Sequence, residues 1–374
     1  MPRDTPLRRF HEQHDARFVD FAGYAMPLHY GSIQAEHLHT RAAGSVFDVS
    51  HMGRVRFEGA PDATRRLLER LLTRTVGTMA VGQVRYAVVC NASGGTLDDV
   101  LVYRFDDHWL LVVNASKRAK LLDHFRAVAN EHEPTLDPAA DIVDTTDDTA
   151  MLAIQGPAVL PRLGGVSREL AGLGRYRFAV KRVVIARMIV SRTGYTGEDG
   201  VEIILPKAAV GLGMKALMKQ FDAEDPDAGI RPAGLGARDS LRLEAGMPLY
   251  GHELDENTDP LSAGLRFAVS LDKDQQPDTP RFIGQDALEA LGDRPPRRLV
   301  GLRLDGRRTP RQGATVSAGG RAVGVVTSGV MSPSLGHPIA LAYLDAGVAA
   351  SQVDVSIGRD THPASVGPPK FLPA

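Results

Sequence analysis

The spacing of apolar positions changes several times along the chain, and the changes mark out its elements. After Gly53, Val55 and Phe57 alternate in a short strand, and residues 60–73 then place Leu67, Leu68, Leu71 and Leu72 at helical spacing. Strands are predicted over 83–90 and 100–105, and Asp106-Asp107 turns the second into a hairpin with 108–113. Residues 115–130 read as a helix whose Leu121, Leu122, Phe125 and Val128 form one stripe. This order predicts a compact α+β layer, a sheet with helices on one face.

A second unit starts near Thr149. Residues 182–192 read as one strand rich in Val and Ile, with 200–205 as its partner, and the intervening loop carries Gly194, Gly197 and Gly200. Helices are predicted over 209–221 and 235–245, the latter closed by Gly246 in a position that favours a left-handed cap. Residues 292–298 read as a linker. Beyond it helix signals vanish, and short strands at 299–304, 321–327, 339–344 and 353–357 alternate with turns, Gly319-Gly320 among them. A small all-β barrel or jelly roll is expected there. The chain shows no internal repeat and no low-complexity tract.

With 374 residues the chain exceeds one ordinary core, so two or three domains are expected. A formal net charge of -1 gives no support for nucleic-acid or anionic-membrane binding through bulk electrostatics. Cys90 is the one cysteine, which excludes an intramolecular disulfide and a thiolate metal cluster. The first residues lack an apolar signal core and no stretch approaches a membrane span, so a cytoplasmic enzyme or binding protein is expected.

The most informative stretch is Asn91-Ala-Ser-Gly-Gly-Thr-Leu-Asp98-Asp99-Val-Leu-Val-Tyr103, where a glycine turn runs into an apolar strand. Alternation sends Asp98 and Asp99 in opposite directions, so one faces the interior or a cleft. Taken alone, the segment fits either an Asx-turn with a solvated charge or a carboxylate poised for a cationic or proton-donating substrate. In Ser191-Arg-Thr-Gly-Tyr195-Thr-Gly-Glu198-Asp199-Gly-Val-Glu202, glycines permit close backbone approach and Tyr195 offers a ring to stack on. Glu202 falls on the face opposite Val201 and Ile203. Such a carboxylate either sits at the surface of a hairpin or accepts paired hydrogen bonds from an amidine-like edge, such as the aminopyrimidine of a pterin.

Arg238 and Arg242 lie one helical turn apart, suited to a carboxylate-bearing ligand or to an Arg/Glu surface network. Gly234 and Gly236 lack the third glycine and preceding strand of a dinucleotide loop. The pairs His11/His14 and His37/His39 have no acidic or cysteine partners arranged for a metal, and none is expected. Asp48, Ser50 and His51 are too close in sequence for a hydrolase triad. Cys90 reads as core packing.

Further segments complete a pattern: Val19-Asp-Phe-Ala-Gly-Tyr-Ala-Met-Pro-Leu-His-Tyr30, Phe47-Asp-Val-Ser-His-Met-Gly53, Ile154-Gln-Gly-Pro157, Gly234-Leu-Gly-Ala-Arg-Asp239, Asp255-Glu-Asn-Thr258, Thr327-Ser-Gly and Ser332-Pro-Ser-Leu-Gly336. With the two segments above, and in this order over nearly the whole chain, they closely resemble the aminomethyltransferase family, the T-protein of the glycine cleavage system. The resemblance implies a three-domain cloverleaf with folate in the central cavity. Its parts would be a folate-binding domain over 1–52 and 144–246, interleaved with a ferredoxin-like α+β domain over 53–143 and 247–291, and a C-terminal β-barrel over 297–374.

The implied reaction takes the aminomethyl group from the lipoyl arm of H-protein, releases ammonia and forms 5,10-methylene-tetrahydrofolate. Tetrahydrofolate is a co-substrate, and no metal is required. By matching motif positions, the resemblance implies that Asp99 would be the critical carboxylate near folate N5/N10, that Glu202 would bind the pterin edge and that Arg238 would help hold the folate. Tyr86, Asn114, Tyr195 and Tyr250 are secondary pocket candidates.

Some positions depart from the family pattern. Asp15 stands where many members have glycine, Tyr24 and Phe267 replace tryptophans often found there, and the tail lacks the basic residue that helps bind folate in some members, with Lys370 a candidate substitute. Tetrahydrofolate-dependent demethylases of the same fold, and folate-binding regulatory proteins that transfer no carbon, are the competing readings.

Overall fold

The structure is a computed structural model and describes residues 1–132, 140–183, 186–222 and 229–372. It is an α+β protein whose chain divides into two compact units. The first comprises Met1–Leu67, Thr78–Arg85 and Val100–Asp239, and the second Leu68–Gly77, Tyr86–Asp99 and Ser240–Ala374.

The first unit holds a six-stranded sheet in the order Phe178–Val183, Ala186–Ser191, Gly200–Pro206, Thr149–Gln155, Ser45–Asp48 and Arg231–Pro232. The strand Thr149–Gln155 is buried between neighbours on both edges, which suits its apolar run Ala150-Met-Leu-Ala-Ile154. Ala150, Leu152 and Ile154 pack with Val159, Val201, Val210 and Met214 into the core of this unit. Each of the larger of these side chains, Val, Leu, Ile or Met, taken out of water contributes about 1.5–3 kcal/mol.

The strand predicted over 182–192 is instead two antiparallel strands, paired from Phe178↔Ser191 to Val183↔Ala186. An unbroken β-forming run with no glycine, proline or asparagine conceals this reversal. Residues 184 and 185 lie outside the described residues.

A five-stranded sheet runs in the order Val84–Cys90, Thr96–Arg104, Trp109–Val113, Gly53–Glu58 and Asp141–Asp144. The expected hairpin is present, with Arg104 opposite Trp109 and the Phe105 N–H bonded to the His108 carbonyl at 3.0 Å. The strand carrying the two aspartates begins at Thr96, earlier than apolar spacing alone indicates, and the Thr96 N–H bonds to the carbonyls of Asp255 and Thr258.

Within the second unit a closed barrel is formed by Arg297–Leu304, Pro338–Asp345, Arg321–Met331, Thr315–Ala318, Gln352–Ile357 and Asp360–Gly367. Ala318 faces Arg321 across Gly319 and Gly320, whose φ values of +56° and +78° are those of a tight two-residue turn. Two barrel strands, Thr315–Ala318 and Asp360–Gly367, carry too few large apolar residues to stand out by pattern. No helix among the described residues is long and apolar enough to cross a membrane.

Candidate functional site

In the first unit the glycine-rich loop is built around one buried amide. Gln155 Nε2 donates to the carbonyls of Ile154 at 3.1 Å, Thr193 at 3.1 Å and Val201 at 3.2 Å. Its Oε1 accepts from the Thr196 hydroxyl at 3.2 Å. A Cβ on Gly194 would sit 1.8 Å from that oxygen, so only glycine lets the loop close over the amide. On the outer side Arg192 pairs with Asp199 at 2.6 Å, and Arg41 bonds both Glu198 and the Thr196 carbonyl at 2.8 Å.

This frame fixes Glu202, which pairs across the sheet with Ser191 on one side and Ala153 on the other. Glu202 is buried at 5% exposure, which decides against a surface hairpin glutamate. Burial pushes its carboxyl above the ordinary range, while the nearby Arg238 and a hydrogen bond from the Thr193 hydroxyl, at 2.5 Å, pull it back.

Arg238 sits on the helix Leu235–Glu244, whose start is fixed by Glu36: its carboxylate accepts from Gly234 N–H at 2.9 Å and Tyr30 N–H at 2.7 Å. A Cβ on Gly234 would lie 2.3 Å from the Leu28 carbonyl oxygen. The Arg238 guanidinium carbon stands 4.9 Å from the Tyr195 ring centroid, a cation–π contact. Burial works against the guanidinium's charge and Glu202 supports it. Arg238 Nη1 is buried with no hydrogen-bond partner among the described residues. A buried donor left unpaired costs about 1–3 kcal/mol, so this nitrogen is suited to an acceptor brought by a ligand.

His51 is buried beside this charge, and its Nδ1 also has no hydrogen-bond partner among the described residues. Burial, reinforced by Arg238 and Arg54 and opposed by Asp48, lowers its pKa to about 3, so the ring is neutral. His11 is committed elsewhere, to Asp48 at 2.8 Å and the Tyr30 hydroxyl at 2.8 Å. Asn114 is half-buried ahead of the turn Ala115–Lys117, and its carbonyl accepts from Lys117 N–H at 3.0 Å.

In the second unit the turn before the two aspartates depends on its glycines. Gly94 has φ +83°, and a Cβ on Gly95 would lie 1.8 Å from the Glu256 carbonyl oxygen. The Asn91 side chain closes the turn, accepting from Gly95 N–H at 2.9 Å and donating to the Glu256 carbonyl at 2.9 Å. The aspartates diverge as alternation requires: Asp98 is fully buried, and Asp99 is half-buried and accepts from the Tyr86 hydroxyl at 3.1 Å. The Tyr86 ring stacks on Phe267 at 5.8 Å and 28°, and Phe267 is 60% exposed.

Tyr250 donates to the Thr96 carbonyl at 3.3 Å, and burial, followed by the charges of Glu256, Asp98, Asp255 and Asp99, keeps its phenol protonated. Arg242 does not serve the ligand-binding role its spacing suggested. Its guanidinium bonds Glu253 at 2.8 Å and the Ser328 hydroxyl at 2.9 Å, and is buried. Lys370 is exposed on a tail tied to the same helix by a 2.9 Å bond from Phe371 N–H to the Glu244 carbonyl.

The expected residues thus fall into two groups. Glu202, Arg238 and Tyr195 come together in the first unit, and Tyr86, Asp99 and Tyr250 in the second. Asn114 lies in the first unit, ahead of the turn Ala115–Lys117. Pattern reading passed over Thr193, Gln155 and His51. All three lie inside motifs quoted above, and only their polarity on a buried strand or loop could have signalled them. Among the described residues no group of three or more His, Cys, Asp or Glu is arranged to hold a metal ion.

Residues 7–273 match the family described as the GCVT N-terminal domain, and residues 297–372 the glycine cleavage T-protein C-terminal barrel domain. The aminomethyltransferase of Rubrobacter xylanophilus is 50% identical over 344 residues, covering 91% of this chain and 87% of that protein. That of Thermus thermophilus is 41% identical over 373 residues, covering 99% of each. The crystal structure of glycine cleavage system aminomethyltransferase T from Bartonella henselae superposes with a TM-score of 0.86 at 31% identity, covering 100% of this chain and 98% of that one. The chain belongs to the aminomethyltransferase family, the T-proteins of the glycine cleavage system.

Proposed function

We propose that this enzyme takes the aminomethyl group from the lipoyl arm of H-protein, releases ammonia and passes the methylene to tetrahydrofolate. The observation that carries the folate part is the buried Glu202 carboxylate close to the charge of the half-buried Arg238. Glu202 offers a carboxylate acceptor, and Arg238 has a buried N–H with no acceptor among the described residues. A pterin ring presents the complement, an amidine-like donor edge together with ring and carbonyl acceptors. Tyr195, held under Arg238, would border the ring, with Asn114 as a further polar contact. This reading assigns ring binding to the regions 1–52 and 144–246, which contain Glu202, Arg238 and Tyr195.

Asp99 is assigned the chemistry. As ammonia leaves the thio-aminomethyl group and the methylene passes to a folate nitrogen, an iminium-like cation develops. A fixed anion beside it lowers the barrier and can take the proton released by the attacking amine. Tyr86 orients that carboxylate through its hydroxyl, and Tyr250 holds the start of the same strand at Thr96. Much of the remaining acceleration would come from holding the two reactants together.

The test combines the purified chain, tetrahydrofolate and aminomethyl-loaded H-protein, following ammonia and methylene-tetrahydrofolate. Equal amounts of both products support the assignment. Methyl transfer to tetrahydrofolate from a small donor without H-protein, and none with it, would replace it with a demethylase.

A further inference from the structure

Glu202 is anchored by a line of buried hydroxyls to which the reading above gives no role. Ser191 is the direct cross-strand partner of Glu202, so the two side chains emerge on one face, and Thr193, two residues further on, returns to that face. The Thr193 hydroxyl donates to Glu202 Oε2 at 2.5 Å. Ser191 Oγ lies 2.8 Å from Thr193 Oγ1, and the Tyr103 phenol oxygen lies 3.0 Å from Ser191 Oγ. Tyr103 is 0%, Ser191 1%, Thr193 7% and Glu202 5% exposed, so water does not compete for these bonds.

Proton counting gives the line a direction. Each hydroxyl owns one proton. Thr193 spends its proton on Glu202, so it must accept from Ser191, and Ser191 in turn must accept from Tyr103. The line therefore runs from phenol to carboxylate and is complete when Glu202 is ionised. A protonated Glu202 donating to Thr193 would turn the first two bonds round, leaving Thr193 to donate to Ser191 and Ser191 only the Tyr103 oxygen or the Glu202 backbone carbonyl for its own proton. The alternative acceptor for Ser191, the Glu202 backbone carbonyl, is more distant at 3.4 Å, and using it would break the line.

We infer that Tyr103, Ser191 and Thr193 are positioning residues that act through Glu202: they clamp Oε2, keep the carboxylate a hydrogen-bond acceptor and leave Oε1 for the donor edge of the ligand. This inference rests on the reading of Glu202 as the ring-binding carboxylate. Of the groups packed against Glu202, Arg238 supports its charge from the neighbouring helix, Tyr103 stays protonated through burial, and Ala153 on the other flanking strand carries no charge. His51, beside Arg238, is neutral. Hydrogen bonds to an ionised carboxylate lower its pKa, so removing them moves the loss of ligand binding to higher pH.

The test is the pH dependence of 5-formyl-tetrahydrofolate binding to the full chain between pH 5 and 8, by calorimetry. Thr193→Val is expected to weaken binding roughly tenfold at pH 7 and to move the acid limb up by about one pH unit. Thr193→Ser, which keeps the hydroxyl, restores both. Tyr103→Phe keeps the ring and moves the limb the same way by less, which preserves the test if Thr193→Val does not fold. If Glu202→Gln weakens binding but Thr193→Val or Tyr103→Phe leaves the wild-type limb and affinity, the hydroxyl line is not a positioning device. A wild-type chain that does not bind the folate, or is indifferent to Glu202→Gln, refutes the ring-binding assignment itself, and this inference with it.

Discussion

The Tyr86 hydroxyl reaches Asp99 Oδ2 at 3.1 Å while the Tyr86 ring lies against Phe267. Stacking fixes the ring, the ring fixes the hydroxyl, and the hydroxyl fixes one oxygen of the carboxylate assigned to the chemistry. Tyr86→Phe keeps the stack and deletes only the donor. A hydrogen bond to a charged group contributes about 1.5–3 kcal/mol, so the single-turnover rate should fall by roughly 10- to 100-fold. Folate affinity should change little, and a rate loss matched by an affinity loss would contradict this role.

Arg238 tests the ring-binding assignment from the cationic side. Its buried Nη1 has no acceptor among the described residues, and its guanidinium lies over Tyr195. Lysine supplies charge without the planar fork, so Arg238→Lys should weaken folate binding nearly as much as Arg238→Ala, by about 10- to 100-fold. Calorimetric titration of both variants checks this, and full rescue by lysine would show that charge alone suffices.

His51 predicts how stability depends on acidity. Its folded pKa of about 3 lies below the ordinary 6.5, so the unfolded chain binds more protons between these values. The stability it contributes is present above pH 6.5 and is lost as pH falls toward 3. Between pH 6.5 and 5 this group accounts for about 2 kcal/mol of that loss. Urea unfolding of the wild type and His51→Asn at pH 7 and pH 5 should show the smaller pH dependence in the variant.

Two glycines separate crowding from helix propensity. A Cβ at Gly194 would overlap Gln155 Oε1, whereas one at Gly211, in the helix Val210–Asp222, meets nothing within 4 Å. Gly194→Ala should destabilise the chain by about 2 kcal/mol or more by breaking the buried amide's bonds, and should weaken folate binding too. Gly211→Ala should be neutral or stabilising by up to about 1 kcal/mol. Thermal denaturation of both variants compares them directly.

The sequence made legible those features that depend on neighbours along the chain. Alternation correctly separated buried Asp98 from half-buried Asp99 and put Glu202 on its own face. Asp15, which the resemblance sets where many members have glycine, has a φ of +54°, a conformation that glycine adopts freely and that aspartate is among the few other residues to tolerate. Features set by distant partners were not legible. Helical spacing showed that Arg238 and Arg242 are one turn apart, but not that Glu253 and Ser328 occupy Arg242. Tyr103 reads as strand core, and nothing near it in sequence announces that its hydroxyl meets Ser191.

The most direct measurement is the single-turnover formation of methylene-tetrahydrofolate from aminomethyl-loaded H-protein by wild type and Asp99→Asn. Asparagine preserves the shape and can still meet Tyr86, but removes the charge. The assignment predicts a rate lower by roughly 10²–10³ with folate affinity within a few-fold of wild type. A variant that forms the product at the wild-type rate would contradict it.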